Sequence, residues 1–531
     1  MRTLCECPNR CGVAMLVLPP QTVPLRPILS VHRTLTAQPV PQSADSLPDA
    51  AVLTAITLLS FLLLGYHPFA EDAGIYRSSI QLALNPTLYP ASRLFILAHM
   101  HHTLFPYFFA LVTRILHLPL AWILLCMHFA LLWLLLYAVR RIAVLCFAYP
   151  AAQWTAVALT AFCLAIPVAG TALTIDDPYL TPRSFATPFS LLLLSAVLDR
   201  RPRLAVVSLL IAACFHPLMA IYAAAFALVL WTVHTRRPHG TLRLCLAAVL
   251  SATLIALTQQ GVVESPAYIH AALTRTYFYL ADWQWFELVG LAAPLVIFLW
   301  MYRTDRTRSA SHAHNRAALT GTALACGITA IVISAIFVQP ASHSHLLARL
   351  QPLRIFHTIY MLLFLLLGGI LAERLPQHLP QRLARPVIAL TLCAAAGITF
   401  FVERQIFPAS SHLEMPWQTP PNPWQQAFLW VRDNTPQGAV FALDAGYITT
   451  GGEDAQNFRA IAERSSLSDY SKDGGSASIF PQLAAAWGIT AYPTLIVFDP
   501  SGKPLLGTMG YMGASDLIKF GKQALSKATT N

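Results

Sequence analysis

Long apolar runs recur along most of this chain, and they constrain its fold more than any other feature. Most approach the roughly 20 residues that an α-helix needs to cross the hydrocarbon of a bilayer. They lie near residues 50–67, 119–138, 152–172, 185–198, 205–232, 242–259, 284–302, 317–338, 357–373 and 386–403. Only 11% of the 531 residues are charged, whereas soluble domains carry about 25%. The sequence therefore predicts a mainly α fold, a polytopic transmembrane helical bundle.

The membrane topology accounts for the positive charge of the chain. The formal net charge is +11, but the arginines cluster in short loops between apolar runs, a pattern typical of cytoplasmic loops. The sequence therefore gives no reason to expect a nucleic-acid partner. Alternating the loops places the N-terminus inside, everything after Glu403 outside, and about 10–11 crossings in between.

Two stretches affect the number of crossings. Residues 93–117 are apolar but interrupted by His99, His101, His102 and Pro106, which suits either a crossing helix or an interfacial one. An interfacial helix keeps Arg140 and Arg141 inside, so the charge pattern favours it. The run 205–232 is too long for one crossing and is interrupted at His216-Pro217, so we interpret it as two short, broken crossings.

Residues 1–48 are predicted to be a disordered extension, because the stretch is polar and rich in proline. Its Cys5-x-Cys7-x3-Cys11 pattern has no second ligand cluster nearby, so an unstructured extension is preferred to a metal site. The other seven cysteines lie in or beside apolar runs, where a thiol behaves as a small hydrophobe. No disulfide framework is predicted.

The chain after the last apolar run has a soluble-like composition. Residues 404–483 are predicted to form a small outer-face α/β segment, with helices at 423–434 and 457–464 and a buried strand at 439–443. Residues 484–531 resemble the second half of a thioredoxin fold, with strands at 494–498 and 505–511. The chain has no Cys-x-x-Cys, so it is not expected to be a dithiol oxidoreductase.

Polar residues in three predicted outer loops form the candidate site. The first loop has Glu71, Asp72 and Tyr76, and the second and third loops add more acids and arginines. These additional residues are Asp176, Asp177, Arg183, Arg349 and Arg354. Carboxylates there can act as general bases or hold a divalent metal, and arginines can bind a phosphate through paired hydrogen bonds. Adjacent acids also commonly cap helices, which is the purely structural alternative for each of them.

The segments EDAGIY (71–76) and NPTLYP (85–90) follow the first apolar run. This arrangement resembles the first outer loop of the GT-C glycosyltransferases, membrane enzymes that use polyprenyl-phosphate sugars. The runs at 422–444 and 458–464 resemble the start of the outer soluble domain in several bacterial members. The resemblance covers roughly residues 50–475 and is a pattern of spacing rather than a strict motif.

The resemblance implies a sugar transfer from a polyprenyl-phosphate lipid to an outer-face acceptor at a bacterial inner membrane. Asp72 matches the catalytic acid of the family, assisted by Glu71, and Asp176 or Asp177 matches the acid of the second loop. Arg183, Arg349, Arg354 and Tyr76 would then bind substrate. The second loop has Asp176-Asp177 instead of Asp-x-Asp, so no cofactor is required by the pattern and the need for a divalent metal stays open.

Two other classes of function fit the composition. A transporter or flippase would show paired charges inside its spans and internal symmetry, and neither is evident in the sequence. A non-catalytic membrane scaffold would bind a partner through its thioredoxin-like tail. The histidines His99, His101 and His102 also suggest a metal site, but no acid lies beside them.

Overall fold

The computed structural model describes residues 47–444, 446–487, 494–498 and 504–509, with six residues between 519 and 527. The α-helices in this part of the chain are α1 (Leu47–Leu64), α2 (Ala73–Leu84), α3 (Arg93–Met100), α4 (Phe105–Leu116), α5 (Leu120–Cys146), α6 (Pro150–Ala161), α7 (Pro182–Leu198), α8 (Pro202–Phe215), α9 (Pro217–His234), α10 (Pro238–Thr258), α11 (Pro266–Leu273), α12 (Trp285–Asp305), α13 (Ser311–Phe337), α14 (Leu346–Leu350), α15 (Phe356–His378), α16 (Gln381–Ile406), α17 (Pro423–Asn434), α18 (Phe458–Ala462), α19 (Lys472–Ile479) and α20 (Pro481–Trp487).

The remaining regular structure is short. The 3-10 helices are Thr276–Phe278, Leu280–Asp282, Pro352–Ile355 and Tyr447–Thr449, and the strands are β1 (Val440–Phe441), β2 (Ser465–Ser466), β3 (Thr494–Phe498) and β4 (Pro504–Met509). The predicted disordered extension and its three cysteines lie outside the described residues, apart from its last two positions, which belong to α1.

The described part of the chain has seven helical segments long and apolar enough to cross a membrane, which confirms the predicted mainly α, polytopic fold. They are α5, α9, α10, α12, α13, α16 and the segment Leu346–His378, which combines α14 and α15. The bent pair of α3 and α4 makes eight if it is one span, and α1, α7 and α8 are shorter apolar helices. The molecule is therefore a multi-pass membrane protein, in which the additional predicted crossings correspond to short helices.

The centre of the bundle is formed by α5, α6, α7, α13 and α15. Close packing there depends on two glycines in α15. A Cβ at Gly369 would lie 2.1 Å from Cζ of Phe147, and one at Gly368 would lie 2.7 Å from the carbonyl oxygen of Thr155. Both distances are below van der Waals contact. Helix α15 can therefore pack this closely against Phe147 and α6 only because these two positions have no Cβ.

The charged loops lie at the two ends of the bundle. At the end that we call the arginine-rich end, Arg316 donates to both oxygens of Asp305 at 2.8 and 3.0 Å and to the carbonyl oxygen of Cys146 at 2.8 Å. The predicted inner loops, with their arginines, meet here. The loops at 65–92, 162–181 and 339–355, together with residues 407–479, meet at the opposite end, which we call the cavity end.

One predicted crossing, 152–172, is wrong. Helix α6 ends at Ala161, and the chain then forms a tight turn in which the N–H of Val168 donates to the oxygen of Leu173 at 2.7 Å and that of Ile175 to Ile166 at 3.1 Å. Hydropathy predicted a helix because the residues are apolar, but here they are buried against protein. The turn satisfies its own backbone hydrogen bonds, as non-helical chain at membrane depth must.

The two ambiguous stretches are both interrupted. Helices α8 and α9 are separate, with His216 between them at φ −145°, which confirms the predicted break at His216-Pro217. Helices α3 and α4 are bent by 93°, so residues 93–117 do not form one straight crossing helix. The two breaks touch, since the N–H of Leu104 donates to the oxygen of Cys214 at 2.9 Å.

The C-terminal segment contains the two predicted helices but less strand than expected. The helix predicted at 423–434 is α17, and the one predicted at 457–464 is α18. The predicted buried strand at 439–443 is wrong, because β1 has two residues, Val440 is exposed, and the partner β2 is equally short. Strands β3 and β4 pair antiparallel at about the predicted positions.

Candidate functional site

A cavity of about 550 Å³ opens at the cavity end of the bundle. Its walls come from the loop after α1, the start of α2, the turn before α7, the 3-10 helix before α15, the end of α16 and helix α19. Six of the eight residues predicted from the sequence line it: Glu71, Asp72, Tyr76, Asp177, Arg183 and Arg354. The structure thus brings together residues from all three predicted outer loops.

The acidic wall is fixed by the C-terminal segment. The N–H of Glu71 donates to the oxygen of Ala455 at 3.2 Å, and Glu71 adopts φ 50°, a strained backbone for a residue other than glycine. Gly74 then lets α2 approach Asn457, because a Cβ at Gly74 would lie 2.0 Å from the Cβ of Asn457. Asp72 precedes α2 and its side chain is 48% exposed, toward the cavity.

Lys472 neutralises this acidic wall. Its Nζ forms an ion pair with Oε2 of Glu71 and lies 3.0 Å from Oδ1 of Asp72. Burial alone would raise the pKa of Asp72, but the charges of Lys472, Arg183 and Arg354 outweigh burial and hold that pKa below its usual value. Asp72 is therefore ionised at neutral pH and able to accept a hydrogen bond from a hydroxyl group.

The opposite wall of the cavity contains an ion pair. Arg183, in the first turn of α7, donates to Oδ2 of Asp177, whose Oδ1 accepts from the hydroxyl of Thr174 at 2.8 Å. Thr174 and Asp177 therefore close a turn instead of starting a helix, and α7 begins eight residues after Thr174, at Pro182. Asp176 lies outside the cavity lining, and burial together with the charge of Asp177 raises its pKa to about 7.

Arg354 supplies a cation that is free for a ligand. It lies in the 3-10 helix Pro352–Ile355, and its Nε is buried with no hydrogen-bond partner. Within the described chain its guanidinium forms no ion pair, although its charge acts on Asp72 and Tyr277. A guanidinium with unused donors at the wall of a polar cavity is suited to bind an anionic oxygen.

Arg349 is not part of this arrangement. Its Nη1 donates to the carbonyl oxygen of Ile479 at 3.4 Å, and its guanidinium lies over the ring of Tyr268, 5.6 Å from the centroid. These contacts hold α14 against α11 and the end of α19, and Arg349 does not line the cavity. The structure therefore leaves Arg354 as the arginine of this loop that faces the cavity.

No family model and no curated protein sequence matches this chain. The resemblance to the GT-C glycosyltransferases therefore stays a prediction, and the chemistry of the cavity has to be argued from its own residues.

The sequence alone did not point to several residues that line the cavity. Three of them have acidic or basic side chains: Arg275 after α11, Lys472 on α19 and Glu403 near the end of α16. Lys472 is the first lysine of a chain whose earlier cations are all arginine, which is a signal that could have been noticed. Glu403 was interpreted only as the end of an apolar run.

The histidines suggested a metal site, but their contacts are of another kind. His99 Nε2 lies 2.7 Å from the hydroxyl of Ser476, and the ring of His102 stacks on Phe480, with 5.2 Å between the centroids. Among the described residues, no group of three or more His, Cys, Asp or Glu side chains is arranged to hold a metal ion. His99 and His102 instead attach the end of α3 to α19 and to Phe480, which follows it.

Replacing Lys472 tests the electrostatics of the acidic wall. In Lys472→Met the largest attraction on Asp72 is removed while burial remains, so the pKa of Asp72 rises. If the Asp72 carboxylate is needed for activity, the acidic limb of the pH–rate profile moves to higher pH. Lys472→Arg keeps the charge and should keep the wild-type profile. An unchanged profile in Lys472→Met would show that Asp72 does not set this limb.

Proposed function

We propose that the protein is a membrane glycosyltransferase that moves a sugar from a polyprenyl-phosphate donor to an acceptor hydroxyl in the cavity. One observation supports this proposal more than any other: acids and an unpaired guanidinium from loops far apart in sequence line a single cavity beside apolar helices. Such a transfer needs a base for the acceptor, cations for the phosphate, and contact with lipid.

The proposed roles follow from charge and pairing. Asp72, held ionised, accepts the proton of the attacking hydroxyl. Arg354 binds the phosphate that leaves, since its Nε has no hydrogen-bond partner among the described residues. Tyr76 stays protonated because burial raises the pKa of its phenol, so it acts as a hydrogen-bond donor. Arg183 is neutralised by Asp177 and positions that wall rather than binding the phosphate by itself.

The proposed orientation rests on the distribution of arginine. The loops rich in arginine lie at the end opposite the cavity, and positively charged loops face the cytoplasm. The cavity would then face the outer side of a bacterial inner membrane, together with the C-terminal segment after α16. A cysteine placed in the exposed loop near Gly438 should react with a membrane-impermeant maleimide in intact cells if this orientation is correct.

The function is tested by purified protein in liposomes with polyprenyl-phosphate-linked sugars, measuring the release of the free polyprenyl phosphate. Arg354→Gln should lower this release about 10- to 100-fold, because a hydrogen bond to a charged group contributes roughly 1.5–3 kcal/mol. Arg349→Gln is the matched control, since Arg349 does not line the cavity, and should leave the rate nearly unchanged. Equal rates for wild type and Arg354→Gln would contradict the assignment of the phosphate site.

Removing the tail distinguishes this proposal from a scaffold. None of the described residues beyond Ile479 lines the cavity, so deletion of 488–531 should preserve most of the transfer activity. A scaffold that binds its partner through the thioredoxin-like tail would lose its function instead.

A further inference from the structure

Glu403 lies near the C-terminal end of α16 and lines the same cavity, at a position that the proposed roles above do not use. Its side chain is almost completely enclosed, since the residue is 1% exposed, and its Oε2 has no hydrogen-bond partner in the described part of the chain. The helix is held in place here by Thr399, whose hydroxyl donates to the oxygen of Phe162 at 2.6 Å.

Among the residues that the structure describes, no cation forms an ion pair with this carboxyl group. The neighbouring Arg404 donates to the carbonyl oxygens of Phe407 and Ser410 at 3.1 and 3.0 Å. Enclosing an unpaired carboxylate is very costly, so the stable form of this group is the neutral acid.

The surroundings of Glu403 differ from those of Asp72. The cavity lining also includes Ile406, Phe407, Ala172 and Leu173, and Ile406 is 44% exposed at the end of α16. A neutral carboxyl group has one O–H donor. On this apolar wall, the described residues offer that donor no acceptor. The group is therefore prepared for an acceptor that enters the cavity.

We propose that Glu403 is a ligand-recognition residue, a neutral carboxylic acid that donates a hydrogen bond to an oxygen of the lipid-linked head group. This inference depends on the proposed function for the nature of the ligand. The oxygen belongs either to the phosphate or to a sugar hydroxyl, and the two sources can be separated by experiment.

The test uses dicyclohexylcarbodiimide, an apolar reagent that adds to protonated carboxyl groups. The full-length protein in lipid nanodiscs should form an adduct at Glu403, detected by peptide mass spectrometry. Glu403→Gln should lack the adduct. Glu373, which is paired with Arg316 at 3.2 Å at the arginine-rich end, should remain unlabelled and serves as the internal control.

Ligand protection identifies the source of the oxygen. Saturating polyprenyl phosphate, and separately polyprenyl-phosphate mannose, glucose and arabinose, are added before the reagent. A several-fold loss of adduct with the bare lipid phosphate assigns the bond to phosphate, and protection by a sugar-bearing lipid alone assigns it to a sugar hydroxyl. Absence of the adduct, or labelling that no lipid reduces, would overturn the proposal. The readout needs no catalysis, so it stays informative even if Asp72→Asn proves fully active and the proposed mechanism fails.

Discussion

Asp72→Asn should reduce sugar transfer by about 10²- to 10⁴-fold, the range that general-base catalysis contributes. The asparagine keeps the size of the side chain and removes the charge that accepts the proton. Because Asp72 is 48% exposed to the cavity and is followed directly by α2, the substitution should leave the helices intact. The rate of polyprenyl phosphate release is the measurement, with size-exclusion chromatography to verify folding.

The control for this experiment is an acid at the same end of the molecule. Asp282 is exposed and lies outside the cavity lining, so Asp282→Asn should transfer sugar at nearly the wild-type rate. If Asp72→Asn were as active as this control, the carboxylate could not be the base. A different residue of the cavity would then have to act as the base.

Asp473→Asn should have the largest effect on stability. Both oxygens of Asp473 accept from Arg459, each at 2.6 Å, and both side chains are at least nine-tenths buried. Removing one partner of a buried pair leaves the other charge without compensation, at a cost of about 3–5 kcal/mol. Hydrogen exchange of the amides in 455–487 should therefore become much faster than in wild type.

An exposed pair gives the matched comparison. Asp433 lies 2.9 Å from Arg432 on the surface of α17, and surface pairs contribute little to stability. Asp433→Asn should leave the exchange of 455–487 unchanged. Wild-type exchange in Asp473→Asn would mean that the buried pair does not hold this segment in place.

The sequence predicted most of the helices because membrane-crossing segments are readable from hydropathy and arginine placement. It also predicted that acids and arginines from three loops would lie at one end of the bundle, since alternating loops share one face, but Asp176 and Arg349 do not line the cavity. Arg349 and Arg354 differ by five positions, yet of the two only Arg354 lines the cavity, because Gln351 at φ 48° turns the chain between α14 and the 3-10 helix that contains Arg354. Periodicity cannot predict such a local turn.

Other residues were missed because their roles depend on contacts between distant parts of the chain. Lys472 reaches Glu71 across 401 positions, and no local pattern predicts that contact. The turn at 162–175 was mistaken for part of a crossing because burial in protein and burial in lipid select the same apolar residues. Glu403 was overlooked for a similar reason, since one acid at the end of an apolar run normally reaches water.

The ion pair of Lys472 makes the cavity accessible to a specific chemical reporter. Before Lys503 the sequence contains no other lysine side chain, so acylation by an amine-reactive ester can be assigned to Lys472 unambiguously by peptide mapping. Burial lowers the pKa of this amine, but the charges of Asp72 and Glu71 outweigh burial and keep it protonated and unreactive. The rate of acylation therefore measures how often the amine leaves the two carboxylates.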